Sequence, residues 1–156
     1  MASVVEIVDE LKKRNFKIAT AESCTGGMIA SSIVDLPGVS AFFEEGVVTY
    51  SNDAKKKYLF VSDEVLKEHG AVSEECAYAM ADGLSQQTKA QVCICSTGIA
   101  GPDGGTKEKP VGLVYLSCKV LDRITVKKCL FKGTRTEIRK AATEAAFSLA
   151  YDCLTN

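Results

Sequence analysis

Apolar positions recur at helical spacing in residues 2–14 (Val4, Val5, Ile7, Val8, Leu11), and Lys12-Lys13-Arg14 at the end suits a helix C-terminus. Phe16 to Ala21 alternates instead and predicts a strand. Thr25-Gly26-Gly27 breaks that pattern, Met28 to Val34 predicts a short helix, and Pro37-Gly38 marks a turn. Gly46 to Tyr50 predicts a second strand, followed by polar Ser51-Asn52-Asp53, a good helix start. Helical patterns cover residues 53–59, 62–69 and 73–88, the last entered from Ser73 with Glu74 and Glu75 in its first turn. The apolar run from Gln91 to Ser96 predicts a buried central strand, on which Cys93 and Cys95 share a face. A glycine-rich loop runs from Gly98 to about Pro110. Val111–Val120 and Arg123–Phe131 then predict an antiparallel hairpin with a tight turn near Leu121-Asp122. The last helix is expected from about Thr136, with Ile138, Ala142, Ala145, Ala146 and Leu149 three and four apart. Alternating helices and strands with a late hairpin predict a three-layer α/β/α sandwich on a mixed β-sheet.

Composition narrows the function classes. A length of 156 residues suits one domain, expected to cover residues 1–156, and no repeat or linker divides it. Apolar residues make up 46% and charged residues 25%, the proportions of a folded globular chain. Nineteen basic against twenty acidic residues give a net charge of −1, which argues against a nucleic-acid surface spread over the molecule. No stretch approaches the ~18 apolar residues of a membrane span, and no basic segment followed by an apolar core opens the chain. A cytoplasmic protein is expected, with no nucleic-acid or membrane partner. The seven cysteines form no C-x-x-C pair and the only histidine is His69, so neither a disulfide framework nor a metal site is expected. The cysteines are expected to be mostly small buried hydrophobes.

Chemistry is expected where small residues follow strands, because ligands gather at the carboxyl ends of strands in open α/β sheets. Thr20-Ala-Glu-Ser-Cys-Thr-Gly-Gly27 turns a strand into a helix, and its N–H groups suit an oxyanion or a phosphate; a plain capping turn is the simpler alternative. Ser96-Thr-Gly-Ile-Ala-Gly-Pro-Asp-Gly-Gly105 is long for a mere connection. In Tyr50-Ser-Asn-Asp-Ala-Lys55, a cap at Ser51 or Asn52 puts Lys55 in or near the first helical turn. The helix dipole and burial would lower its pKa there, whereas Lys56 and Lys57 suit a solvated face. His69, before Gly70, suits a helix C-cap better than a catalytic base. A serine activated by a lysine needs no histidine.

These segments, with His69-Gly-Ala-Val-Ser73 and Lys109-Pro-Val-Gly112, resemble the CinA C-terminal domain family in order over most of the chain. Family members often carry an N-terminal molybdopterin-binding-like domain; these residues do not include it, so no activity of that domain is expected. The resemblance implies a metal- and cofactor-independent amidohydrolase that converts nicotinamide mononucleotide (NMN) to nicotinate mononucleotide and ammonia. It implies Ser23 as nucleophile, Lys55 as its base and Tyr50 as a supporting hydroxyl. Cys24, Thr25, Gly26 and Gly27, with Thr97, Gly98, Gly101, Gly104 and Gly105, would hold the substrate or its oxyanion. The family's Gly-Asp-Arg pattern stands here as Gly133-Thr134-Arg135, and either Arg135 or Arg139 would take a 5′-phosphate. The expected partners are a nicotinamide nucleotide and further copies of the chain, as a homo-oligomer. Two rival readings stand beside this one. Thiol catalysis would run through Cys24. A non-catalytic nucleotide-binding or regulatory module would need no Ser23–Tyr50–Lys55 trio.

Overall fold

The computed structural model of the chain describes residues 2–156. Most helix starts follow from short-range polar chemistry. Helix α1 (Val4–Arg14) opens with a reciprocal capping box between Ser3 and Glu6. Strand β1 (Ile18–Glu22) leads to α2 (Met28–Val34), then a single 3₁₀ turn at Val39–Ala41 and β2 (Phe43–Val48). Ser51, Ser62 and Ser73 cap α3 (Asn52–Leu59), α4 (Asp63–Glu68) and α5 (Glu74–Thr88), each accepting an N–H three residues on. Strands β3 (Val92–Gly98), β4 (Leu113–Val120) and β5 (Arg123–Leu130) precede the long helix α6 (Arg135–Thr155).

Three boundaries differ from expectation. Strand β2 begins and ends earlier than Gly46–Tyr50. It is an edge strand whose residues alternate between half-buried and exposed, so Glu44 can face water within it. The hairpin begins at Leu113 rather than Val111, because Leu113 N–H donates back to Pro110 O in a turn. Helix α6 starts at Arg135, with Thr134 as its N-cap and Glu137 completing a capping box. The threonine at the Gly-Asp-Arg position therefore does the capping work that an aspartate there would also do.

The sheet order is β2-β1-β3-β4-β5, with the first three strands parallel and β4 and β5 antiparallel. Alternation along the buried strands sends side chains to two separate cores. Ile18, Ile94, Val114 and Leu116 pack against α1, α2 and α6. Ala19, Ala21, Cys93 and Cys95 pack against α3 and α5. This is the α/β/α sandwich that the order of elements predicts. All seven cysteines are free thiols, six of them buried and Cys129 half-buried. No helix among the described residues is long and apolar enough to cross a membrane.

Close packing between α3 and α5 has a sharp test. A Cβ added at Gly83 of α5 would meet the Leu59 carbonyl oxygen of α3 at 1.7 Å. Gly83→Ala must therefore push α3 outward, and α3 carries Lys55. We expect a stability loss of about 3 kcal/mol, at the upper end of overpacking effects. The urea midpoint reads this directly; an unchanged midpoint would show that α3 moves freely on α5.

Candidate active site

The carboxyl ends of the parallel strands β2, β1 and β3 lie side by side, since Glu22 pairs with both Val48 and Ser96. One residue further on, Ser23, Thr49 and Thr97 line up at the end of the sheet. Ser23 N–H donates to Ser96 O at 3.0 Å, and Thr49 N–H donates to Glu22 O at 2.9 Å, which ties the three strand ends together. Alternation continues through the turn: Glu22 bonds to α2, and Ser23 meets a side chain from α3 on the other face.

That side chain is Lys55. Its Nζ lies 3.0 Å from Ser23 Oγ and donates to the carbonyls of Thr49 at 2.8 Å and Tyr50 at 3.0 Å. Lys55 is only 1% exposed, and among the described residues no carboxylate pairs with it. Burial pushes its ammonium below the ordinary 10.5, with the Cys76 and Cys24 thiols working the other way. An ammonium would donate to all three oxygens, whereas in the neutral amine the two carbonyls take both N–H groups and the lone pair faces the Ser23 hydroxyl. Lys56, by contrast, pairs with Asp53 and Asp63, and Lys57 is exposed.

The neighbouring thiol is in the opposite condition. Cys24 is 5% exposed within the α6-side core, and burial raises its pKa to about 11, so it stays protonated at neutral pH. His69 is an exposed C-cap of α4, with Glu68 and Glu75 nearest its ring.

The turn after β1 is gripped from behind. Arg139 donates through Nε to Cys24 O and through a terminal nitrogen to Thr25 O, both at 3.0 Å. Gly26 N–H donates to Ser23 O at 3.0 Å. Across a trans peptide the N–H points opposite to the carbonyl before it. The N–H groups of Cys24 and Thr25 are therefore turned away from these contacts, and neither donates to another residue among the described residues. Unpaired amides beside a hydroxyl are the donors that an oxyanion needs.

The family model of the CinA C-terminal domain matches residues 2–154. The chain belongs to the CinA C-terminal domain family. This CinA domain is 50% identical over 145 residues to a CinA-like protein of Kosmotoga olearia, covering 93% of the chain and 35% of that relative. It spans 32–35% of the length of the curated relatives it matches first. Its fold is similar to the crystal structure of competence damage-inducible protein A (ComA) of Klebsiella pneumoniae, at 33% identity and a TM-score of 0.94, covering 98% and 95% of the two chains. It is equally similar to the CihA protein of Agrobacterium tumefaciens, at 39% identity and a TM-score of 0.94, covering 98% and 93%.

The remaining residues singled out in sequence fall at the site in unequal ways. Tyr50 of the CinA domain approaches Ser23 through its carbonyl, while its 60% exposed side chain turns its hydroxyl to Arg135, 3.3 Å away. Arg135 also donates to Gly101 O at 2.6 Å and so links the glycine-rich loop to Tyr50. Thr97 is buried and its hydroxyl donates to Ala71 O at 2.8 Å. Gly26 sits under Arg139, and Gly27, at a positive φ of 103°, precedes α2 with the Val48 side chain beside it. At Gly101 and Gly105 packing alone requires glycine, because a Cβ on either would meet Val111 within 3.0 Å. Gly98 is similarly crowded by Val114, and Gly104 is exposed with only Ile99 near. Sequence reasoning left Glu22 and Ser96 without a role. The only signal was a glutamate ending an otherwise uncharged strand.

Proposed function

We propose that this CinA domain is a serine amidohydrolase that deamidates NMN to nicotinate mononucleotide and ammonia. The observation that carries the reading is a lysine 1% exposed, without a carboxylate partner, 3.0 Å from a serine hydroxyl. A buried unpaired lysine is costly unless it is neutral, and a neutral lysine is a base. The substrate class follows from the family resemblance of the motifs around it.

In this reading Ser23 O–H donates to the neutral Lys55 amine, and its oxygen attacks the carboxamide carbon. The developing oxyanion accepts from the Cys24 and Thr25 amides. Lys55, now an ammonium, returns the proton to the leaving nitrogen and ammonia departs. A water molecule, deprotonated by the same amine, then releases the carboxylate from the acyl-serine. Arg139 lies against the turn and Arg135 against Gly101 and Tyr50, and either suits a 5′-phosphate. Both already donate to carbonyls, and the spare donors on each are what a phosphate would use.

The test is direct. Purified protein is incubated with NMN in the presence of excess chelator, and ammonia and nicotinate mononucleotide are measured together. Among the described residues no three His, Cys, Asp or Glu side chains gather into a metal site, so both products are expected to accumulate at the rate seen without chelator. No product from NMN, or activity restored only by zinc or magnesium, would overturn the reading.

A further inference from the structure

Glu22 is 1% exposed and, among the described residues, has no basic partner. Its carboxylate is fully engaged all the same. Oε1 accepts the Thr25 hydroxyl at 2.6 Å and Ile29 N–H at 2.9 Å, and Oε2 accepts Ala30 N–H at 3.0 Å. Because Thr25 has a single hydroxyl proton, given to Glu22, the Ser96 hydroxyl at 2.7 Å must donate to Thr25 Oγ1. The chain Ser96→Thr25→Glu22 thus runs in one direction across β3, the turn and β1, in a setting where hydrogen bonds reinforce one another. Its far end also holds the nucleophile, since Ser96 O accepts Ser23 N–H. Helix α2 has glycine at its N-cap and no capping side chain, so a structural role as a remote cap is already served by the two backbone bonds. The Thr25 link goes further than a cap requires.

We propose that Glu22, acting through Thr25, is a positioning residue that holds the Cys24 and Thr25 amides and Ser23 in the geometry that receives the reacting carbonyl. This rests on the Ser23–Lys55 reading above. Arg139 grips the turn by the backbone carbonyls of Cys24 and Thr25, and the Glu22 chain grips it by the Thr25 side chain, so backbone and side chain are both held. Freeing one grip should leave Lys55 and substrate binding in place while misaligning the donors. A misplacement of about 1 Å at this distance from the chemistry costs on the order of 10²-fold in rate.

The variants are Thr25→Val, which keeps the shape and deletes the hydroxyl, Thr25→Ser, which keeps the hydroxyl, Glu22→Gln, and Ser23→Ala as the control. Two readouts are taken: kcat and KM on NMN, and the rate at which a fluorophosphonate ester labels Ser23, followed by mass spectrometry. The labelling rate depends on the nucleophile and its oxyanion donors but not on the identity of the natural substrate. We expect Thr25→Val and Glu22→Gln to lose on the order of 10²-fold in kcat and in labelling rate with KM little changed. Thr25→Ser should recover most of both. Should Glu22→Gln not fold, the Thr25 pair carries the comparison alone. Wild-type labelling and kcat retained in folded Thr25→Val would overturn the positioning role and leave Ser23–Lys55 standing. Wild type behaving like Ser23→Ala in both readouts would overturn the Ser23–Lys55 reading, and the positioning role with it.

Discussion

Ser23→Ala is expected to abolish ammonia release from NMN, while Cys24→Ala keeps most of it. Deleting a serine nucleophile that works with a fixed base costs on the order of 10⁶-fold in kcat, because the remaining groups cannot supply a covalent route. The fold should survive, since Ser23 is small and Lys55 retains the Thr49 and Tyr50 carbonyls as partners. Cys24 is adjacent in sequence but belongs to different surroundings. Its thiol lies in the α6-side core with a pKa raised to about 11, so alanine there removes packing rather than a reagent. A modest fall in Tm with near-normal kcat is the expected signature of Cys24→Ala. An inert Cys24→Ala beside an active Ser23→Ala would transfer the nucleophile to the thiol and sink the serine mechanism.

The second large effect concerns Lys55. Lys55→Met keeps the length of the side chain and removes the base, and Lys55→Arg keeps a positive charge that cannot be given up. Both are expected to lose about 10²–10⁴-fold in kcat, the usual contribution of general-base catalysis. Wild-type kcat/KM should fall as pH drops through the Lys55 pKa, which burial places below the ordinary 10.5; the acid limb should vanish in both variants. The sign for stability follows from the same shift. The folded state disfavours the ammonium, so the penalty is full below the folded pKa and is relieved as pH rises from there towards 10.5. Stability of the wild type should therefore climb over that interval, and Lys55→Met should lack the climb. Arginine is larger and permanently charged in a closed site, so its Tm should fall, and the NMN-dependent rise in Tm separates folding from catalysis. A folded Lys55→Arg protein with near-normal kcat would reduce Lys55 to a fixed positive charge.

Two features depend on neighbours far apart along the chain. The sequence pattern predicts strand β2 from its apolar half, Gly46 to Tyr50, because adjacent glutamates read as polar. Only its place at the sheet edge, paired on one side, makes Phe43-Glu44-Glu45 acceptable as its first half. The glycines at 101 and 105 have a packing role that their motif does not show. The space they leave is filled by Val111, a residue that sequence spacing cannot bring near them.

What the sequence by itself determined is whatever depends on neighbours three or four residues away. Helix spacing, the Ser73 cap, a cap at Ser51 or Asn52 and the common face of Cys93 and Cys95 are all of this kind. Residue types in the motifs also named Ser23 and Lys55 through resemblance, 32 positions apart along the chain. Only the tertiary structure decided that their side chains meet at 3.0 Å, that Tyr50 bonds there through its carbonyl rather than its hydroxyl, and that Glu22 anchors the turn from the opposite face. The physical reason is desolvation. A lysine becomes a usable base only when α3, α5 and the strand ends close around it and remove water, and that enclosure belongs to the packed layers, not to any local stretch of the chain.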